Sequence, residues 1–244
     1  MSDSKVIESL FLKFNKLNLL EKNSTKIIIM LGCLGDLDSF EYIQNFTNIN
    51  LDVSTNNLEY YVFAIGDSSS KELFCNFTNL DKSRLYLLSD SEFHQELKLS
   101  PGLNLPVPSL LNLLLMCAGI SSPGTLVEVL RGYTGDKSSQ QIFYDNDTIN
   151  LGFIPKFTGK TFDKAGGKGF LRPFELATRR LLNMIEVLSH WKTYFPYEDL
   201  IVARGGTFIL DDKNEVIYSY RPKGLLGYSS NMSFPLSCIN EFIG

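Results

Sequence analysis

Apolar and polar positions alternate along the first hundred residues in blocks that change period. Val6, Leu10, Leu12, Phe14 and Leu17 recur on one side of an N-terminal helix, which Asn23-Ser24 ends. Ile27–Leu31 is an unbroken β-branched and apolar run, the pattern of a central parallel strand covered on both faces. A glycine-containing turn follows. Leu37, Phe40, Ile43 and Phe46 then predict a helix whose N-cap is Asp36 or Asp38. Leu58–Ile65 reads as a second buried strand, ended by Gly66-Asp67. Ser68–Ser70 can cap a helix to about Thr78 with Leu73, Phe74 and Phe77 inward. Arg84–Leu88 is a short strand, and Ser89-Asp90-Ser91 caps a helix through about Leu97. This β-α-β-α-β-α order predicts an open α/β sheet.

The pattern changes after Pro101, Pro106 and Pro108. Helices are predicted at Ser109–Cys117 and Ser122–Arg131, the second with Ser122 as N-cap and Pro123 as its first residue. Thr134–Thr161 is polar, irregular or weakly stranded. Pro173–His190 carries Leu176, Ala177, Leu181, Met184, Ile185 and Leu188 at helical spacing. Thr207–Leu210, the turn Asp211–Asn214 and Glu215–Tyr220 read as a closing hairpin. The chain is expected to be one domain over residues 1–244, with a mainly helical segment, residues 105–203, inserted before that hairpin.

Composition narrows the partners. A net charge of −4 disfavours nucleic acid, which wants a basic face. The four cysteines, Cys33, Cys75, Cys117 and Cys238, form no CxxC and no metal-ligand spacing, and only His94 and His190 could join them, so neither a metal nor another cofactor is expected. Reduced, intracellular cysteines are expected. The apolar run Leu110–Ile120 is too short to span a membrane, and core is its default placement. Asp3 and Glu8 argue against a signal peptide.

Phe74-Cys75-Asn76-Phe77-Thr78, Leu87-Leu88-Ser89-Asp90 and Gly205-Gly206-Thr207-Phe208-Ile209-Leu210-Asp211 resemble segments of the peroxiredoxin-like proteins of the alkyl hydroperoxide reductase and thiol-specific antioxidant (AhpC/TSA) group. The resemblance covers about Lys26–Leu103 and Arg204–Tyr220. It implies a thioredoxin-like fold. Cys117-Ala118-Gly119-Ile120, Gly166-Gly167-Lys168-Gly169-Phe170 and Arg172-Pro173-Phe174-Glu175 look like a cyanobacterial and plastid-type branch. That branch implies the cytoplasm of a photosynthetic bacterium or a plastid stroma. Relatives with thiol chemistry carry Gly-Cys-Pro-x-Cys at the turn; aligned on Gly35, those cysteine positions hold Asp36 and Ser39. Arg204 matches an arginine that peroxiredoxins place beside their thiolate.

Two function classes follow. In one, Cys33 is the nucleophile of a one-Cys thiol peroxidase or oxidoreductase, activated by a helix N-terminus and Arg204, with peroxide as substrate. In the other, Cys33 packs as a small apolar residue, and the protein binds a small-molecule anion or a protein partner without catalysis. Asp36, Asp38 and Ser39 are then binding candidates at the turn, although helix capping also accounts for the aspartates. Gly167, Lys168, Gly169 and Arg172 are the second candidate: glycines expose backbone N–H groups, the cations add charge, and Pro173 opens a helix. Both groups are expected to face one cavity, because ligands of open α/β sheets sit beyond the carboxyl ends of the parallel strands. Trp191, Tyr194, Phe195 and Tyr197 are expected to seal the inserted segment against the sheet, and His94 and His190 to lie on the surface at helix ends.

Overall fold

The computed structural model describes residues 2–21, 23–48 and 58–239. The chain runs α1 (Asp3–Lys13), β1 (Thr25–Cys33), α2 (Leu37–Thr47), β2 (Leu58–Ile65), α3 (Ser68–Thr78), β3 (Leu85–Leu88) and α4 (Glu92–Glu96). Then come α5 (Ser109–Cys117), α6 (Thr125–Thr134), β4 (Thr148–Ile149), β5 (Phe157–Thr158), α7 (Asp163–Gly166), α8 (Glu175–Ser189) and α9 (Trp191–Tyr194). The closing hairpin is β6 (Gly206–Leu210) with β7 (Val216–Tyr220). The main sheet has the order β3-β2-β1-β6-β7. β1, β2 and β3 are mutually parallel, whereas β6 runs antiparallel to both β1 and β7. This mixed five-stranded sheet with helices on its faces is a thioredoxin-like α/β fold.

β1 is central because its apolar run fills both faces: Ile27, Ile28 and Ile29 are fully buried between β2 and β6. The helical segment before the hairpin joins the same core through Met116, Val187, Tyr194 and Phe195. A separate small cluster of Phe143, Ile149, Leu151 and Phe162 lies under the β4–β5 pair.

Three local expectations change. α6 starts at Thr125, not Ser122, because the Ser122 hydroxyl is engaged with Thr125 Oγ1 (2.6 Å) and accepts the Leu225 N–H (2.8 Å). His94 is buried, not on the surface, and its Nε2 lies 2.8 Å from Leu31 O at the end of β1. Burial lowers its pKa and favours the neutral ring. The Leu110–Ile120 run does not enter the core as a whole: Asn112 and Met116 face in, while Leu110, Leu111, Leu114 and Ile120 are exposed.

Candidate functional site

The turn between β1 and α2 sits where ligands of such sheets bind, and the fold brings Arg204 to it from the strand-leading segment before β6. Asp36 occupies the N-cap position of α2 yet makes no side-chain capping bond. Its carboxylate is taken instead by Arg204, with Nη1 donating to Oδ1 at 3.0 Å. Arg204 is 1% exposed, and its remaining N–H groups donate to the Val202 and Ile201 carbonyls at 2.9 and 3.4 Å. Burial pushes the Asp36 pKa up and the guanidinium opposes the shift. Asp38, one residue into α2, accepts the Gly227 N–H at 3.1 Å. Burial, then the Asp36 charge, raises it well above the usual carboxylate range. Ser39 Oγ lies 3.5 Å from Asp36 Oδ2. Asp36 thus stands at the N-cap position that the sequence suggested, with the Asp38 and Ser39 N–H groups facing its carboxylate, but its ion-pair partner is Arg204, and Asp38 is committed to Gly227.

Cys33 ends β1 with 1% exposure, and its thiol donates to Leu200 O at 3.2 Å. Burial first, then the Asp36 charge, pushes the thiol up to about 12, against the pull of Arg204. That is the reverse of what a nucleophilic thiolate needs. The turn is also roofed. A Cβ on Gly35 would stand 2.6 Å from Phe195 Cζ and 2.9 Å from Tyr194 Cβ, so only glycine admits these rings so closely. Tyr194 packs edge-on against Phe40 at 5.4 Å. Tyr194 and Phe195 thus join the inserted segment to the core, as expected, and in addition roof the turn. The cavity left between Gly32, Asp36, Asp38, Ser39, Tyr42 and Thr207 has a volume of about 20 Å³, room for a water rather than an organic ligand.

The second candidate group lies elsewhere. Arg172 is fully buried, and its guanidinium is spent on Glu175, Asp163 and the Phe143 carbonyl. Lys168 pairs with Asp145 and Asp163. Gly167 and Gly169 both adopt positive φ, and the Gly169 N–H donates to Gln141 Oε1 at 3.0 Å. The cations of this loop are neutralised by neighbouring carboxylates, and none of its residues lines the cavity at the turn. The shared cavity expected for Lys168, Arg172 and Asp36 is not formed.

Sequence reasoning missed a larger cleft. It has a volume of about 750 Å³, within the range of small-molecule sites, and lies between α2, α8 and the segment around Ser233–Ser237. Glu41 and Arg131 line it, and both belong to an ion network that runs behind the cleft: Glu41 with Arg180 (2.7 Å), Arg180 with Glu128 (3.2 Å), Glu128 with Arg131 (2.8 Å). Arg179 also lines it. That guanidinium stacks over Phe143 at 5.1 Å and reaches Gln44 Oε1 at 3.4 Å. Among the described residues it makes no ion pair within 4 Å, and burial lowers its pKa against the more distant charges of Glu41, Glu175 and Asp147. The signal in the sequence was the charge on otherwise apolar helical faces, Glu41 between Phe40 and Tyr42 and the Arg179-Arg180 pair before Leu181.

Among the described residues no group of His, Cys, Asp and Glu side chains is placed to hold a metal ion, and no helix is long and apolar enough to cross a membrane. A family model for AhpC/TSA antioxidant enzymes matches residues 50–224, a span that starts after the turn and leaves Cys33, Asp36, Asp38 and Ser39 outside it. No curated protein matches the chain, and no solved structure matches it.

Proposed function

The chain belongs to the AhpC/TSA antioxidant enzyme family, and from that premise we propose that it is a peroxiredoxin-like member whose thiol site has become a structural lock and whose role is binding. One observation carries this reading: Arg204 pairs with Asp36, while Cys33 is buried, donates its proton to Leu200 O and has its pKa raised. A peroxidatic thiol must ionise and meet peroxide; the raised pKa opposes the first and the burial opposes the second. The test is hydrogen peroxide consumption with a dithiol reductant, comparing the wild type with Cys33→Ser. Equal, background rates are expected. Saturable consumption lost in Cys33→Ser would restore the one-Cys peroxidase reading.

The binding site that this reading favours is the cleft with Arg179, and the ligand class is a small polar anion. A partly buried guanidinium that makes no ion pair gains two charge-assisted hydrogen bonds from a phosphate or carboxylate. Calorimetric titration with inorganic phosphate and with citrate tests it: binding to the wild type and its loss in Arg179→Gln are expected. We further read residues 105–203 as an insertion within a single domain, and the setting as a reducing one, bacterial cytoplasm or plastid stroma, since Cys33, Cys75 and Cys117 are thiols.

A further inference from the structure

Helices α5 and α6 bury polar side chains and leave much of their apolar surface in solvent. α6 turns Thr125, Glu128 and Gly132 inward, where Glu128 meets Arg180 and Arg131. Its apolar side faces solvent: Leu126, Val127 and Leu130 are 53%, 67% and 63% exposed. α5 behaves alike. The Asn112 amide is buried and closes on the backbone N–H and C=O of Leu105, both at 3.2 Å, while Leu110, Leu111 and Leu114 face out. The surface is continuous. Leu126 packs on the Gly119 turn that joins the helices, 3.1 Å from where a Cβ would stand, and Tyr133 meets the exposed Phe174 ring edge-on at 6.1 Å.

The extent and charge of this face decide what covers it. These eight residues are 42–67% exposed, which for side chains of their size amounts to roughly 800 Å², beyond the largest apolar patch of a typical monomer and comparable to what each partner of a standard interface buries. Two copies would bury about 1,600 Å², the size of a stable dimer interface. Between Leu105 and Thr134 the charged residues are Glu128 and Arg131, both turned inward. A helix lying on a membrane surface would carry lysine or arginine along the flank of its apolar face, and these helices have none there. An uncharged face can meet its own copy without like-charge repulsion, as a two-fold contact requires, even though each chain carries a net charge of −4. We propose that the α5–α6 face is the two-fold interface of a homodimer.

Sedimentation equilibrium between low and high micromolar concentration tests this with the wild type and Leu126→Glu/Leu130→Glu. These side chains are more than half exposed, so the folded monomer tolerates them; unchanged far-UV circular dichroism checks it. The expected result is a dimeric wild type and a monomeric variant with at least a hundredfold weaker self-association. Should the charged variant lose its fold, Val127→Gln/Leu130→Gln replaces it, with weakened self-association expected. A wild type that stays monomeric across the range overturns the proposal. So does a dimer indifferent to both variants, or a monomer that instead floats with phosphatidylcholine vesicles.

Discussion

Replacing Arg204 with methionine keeps much of the side-chain volume and strands the Asp36 carboxylate. Asp36 has 6% side-chain exposure and a single ion-pair partner, so the loss leaves a buried charge uncompensated. Breaking such a pair costs about 3–5 kcal/mol. Protonation limits the penalty. Neutralising a carboxyl of reference pKa 3.8 costs about 4 kcal/mol at pH 7 and under about 2 kcal/mol at pH 5. The sign is fixed by linkage. Without Arg204 the folded Asp36 has a still higher pKa, so the native state binds more protons than the unfolded chain. Stability is then present near pH 4 and lost as pH rises towards the folded pKa. Arg204→Met should therefore be destabilised by about 3–5 kcal/mol at pH 7 and by about 2 kcal/mol less at pH 5. Asp36→Asn/Arg204→Met, which buries no charge, should recover most of the pH 7 loss. Urea unfolding followed by the fluorescence of Trp191, the only tryptophan, reads all three. A loss below about 1 kcal/mol at pH 7, or one that does not change between pH 5 and 7, would refute the buried lock.

Gly35→Ala should cost about 1–3 kcal/mol by overpacking against Phe195 and Tyr194, and Phe195→Leu in the same chain should return part of it, both read as urea midpoints. Tyr42→Phe removes the buried 2.6 Å bond to Thr207 Oγ1 and should cost about 1 kcal/mol, or up to about 3 if the Thr207 hydroxyl is left unpaired. Glu41→Gln weakens the pair with Arg180 beneath the large cleft; a lowered thermal midpoint is expected, and an unchanged one would mean the network does not hold α2 to α8.

What the sequence made legible was whatever depends on local pattern. Ile27–Leu31 announced a strand buried on both faces, the Asp211–Asn214 turn announced the hairpin, and Ser109–Cys117 was readable to its ends. What stayed hidden depends on partners far along the chain. The family resemblance brought Arg204 to the turn as support for Cys33, but nothing near Asp36, 168 residues away, signals that its carboxylate would take the guanidinium, so helix capping was the economical local account. Periodicity shows that α6 is amphipathic but not which side faces in; burial of Glu128 follows from Arg180 on α8. The loop cations are a milder case, because Glu175 stands three residues from Arg172 and the pair was readable as an intrahelical-type contact. His94 gave no signal, since its acceptor is a backbone carbonyl of β1.

The central claim is that the thiol at the turn is locked away from chemistry. Native-state alkylation by iodoacetamide, followed by mass spectrometry of each cysteine from pH 7 to 9, tests it most directly. Cys117 is exposed and Cys33 is not. The account predicts that Cys117, although burial raises its thiol as well, is modified faster than Cys33 at a protein concentration that keeps the chain monomeric, while Cys33 reacts only as fast as the protein unfolds. Modification of the folded chain at Cys33 faster than at Cys117 at pH 7 would contradict it and return a reactive thiolate to the turn.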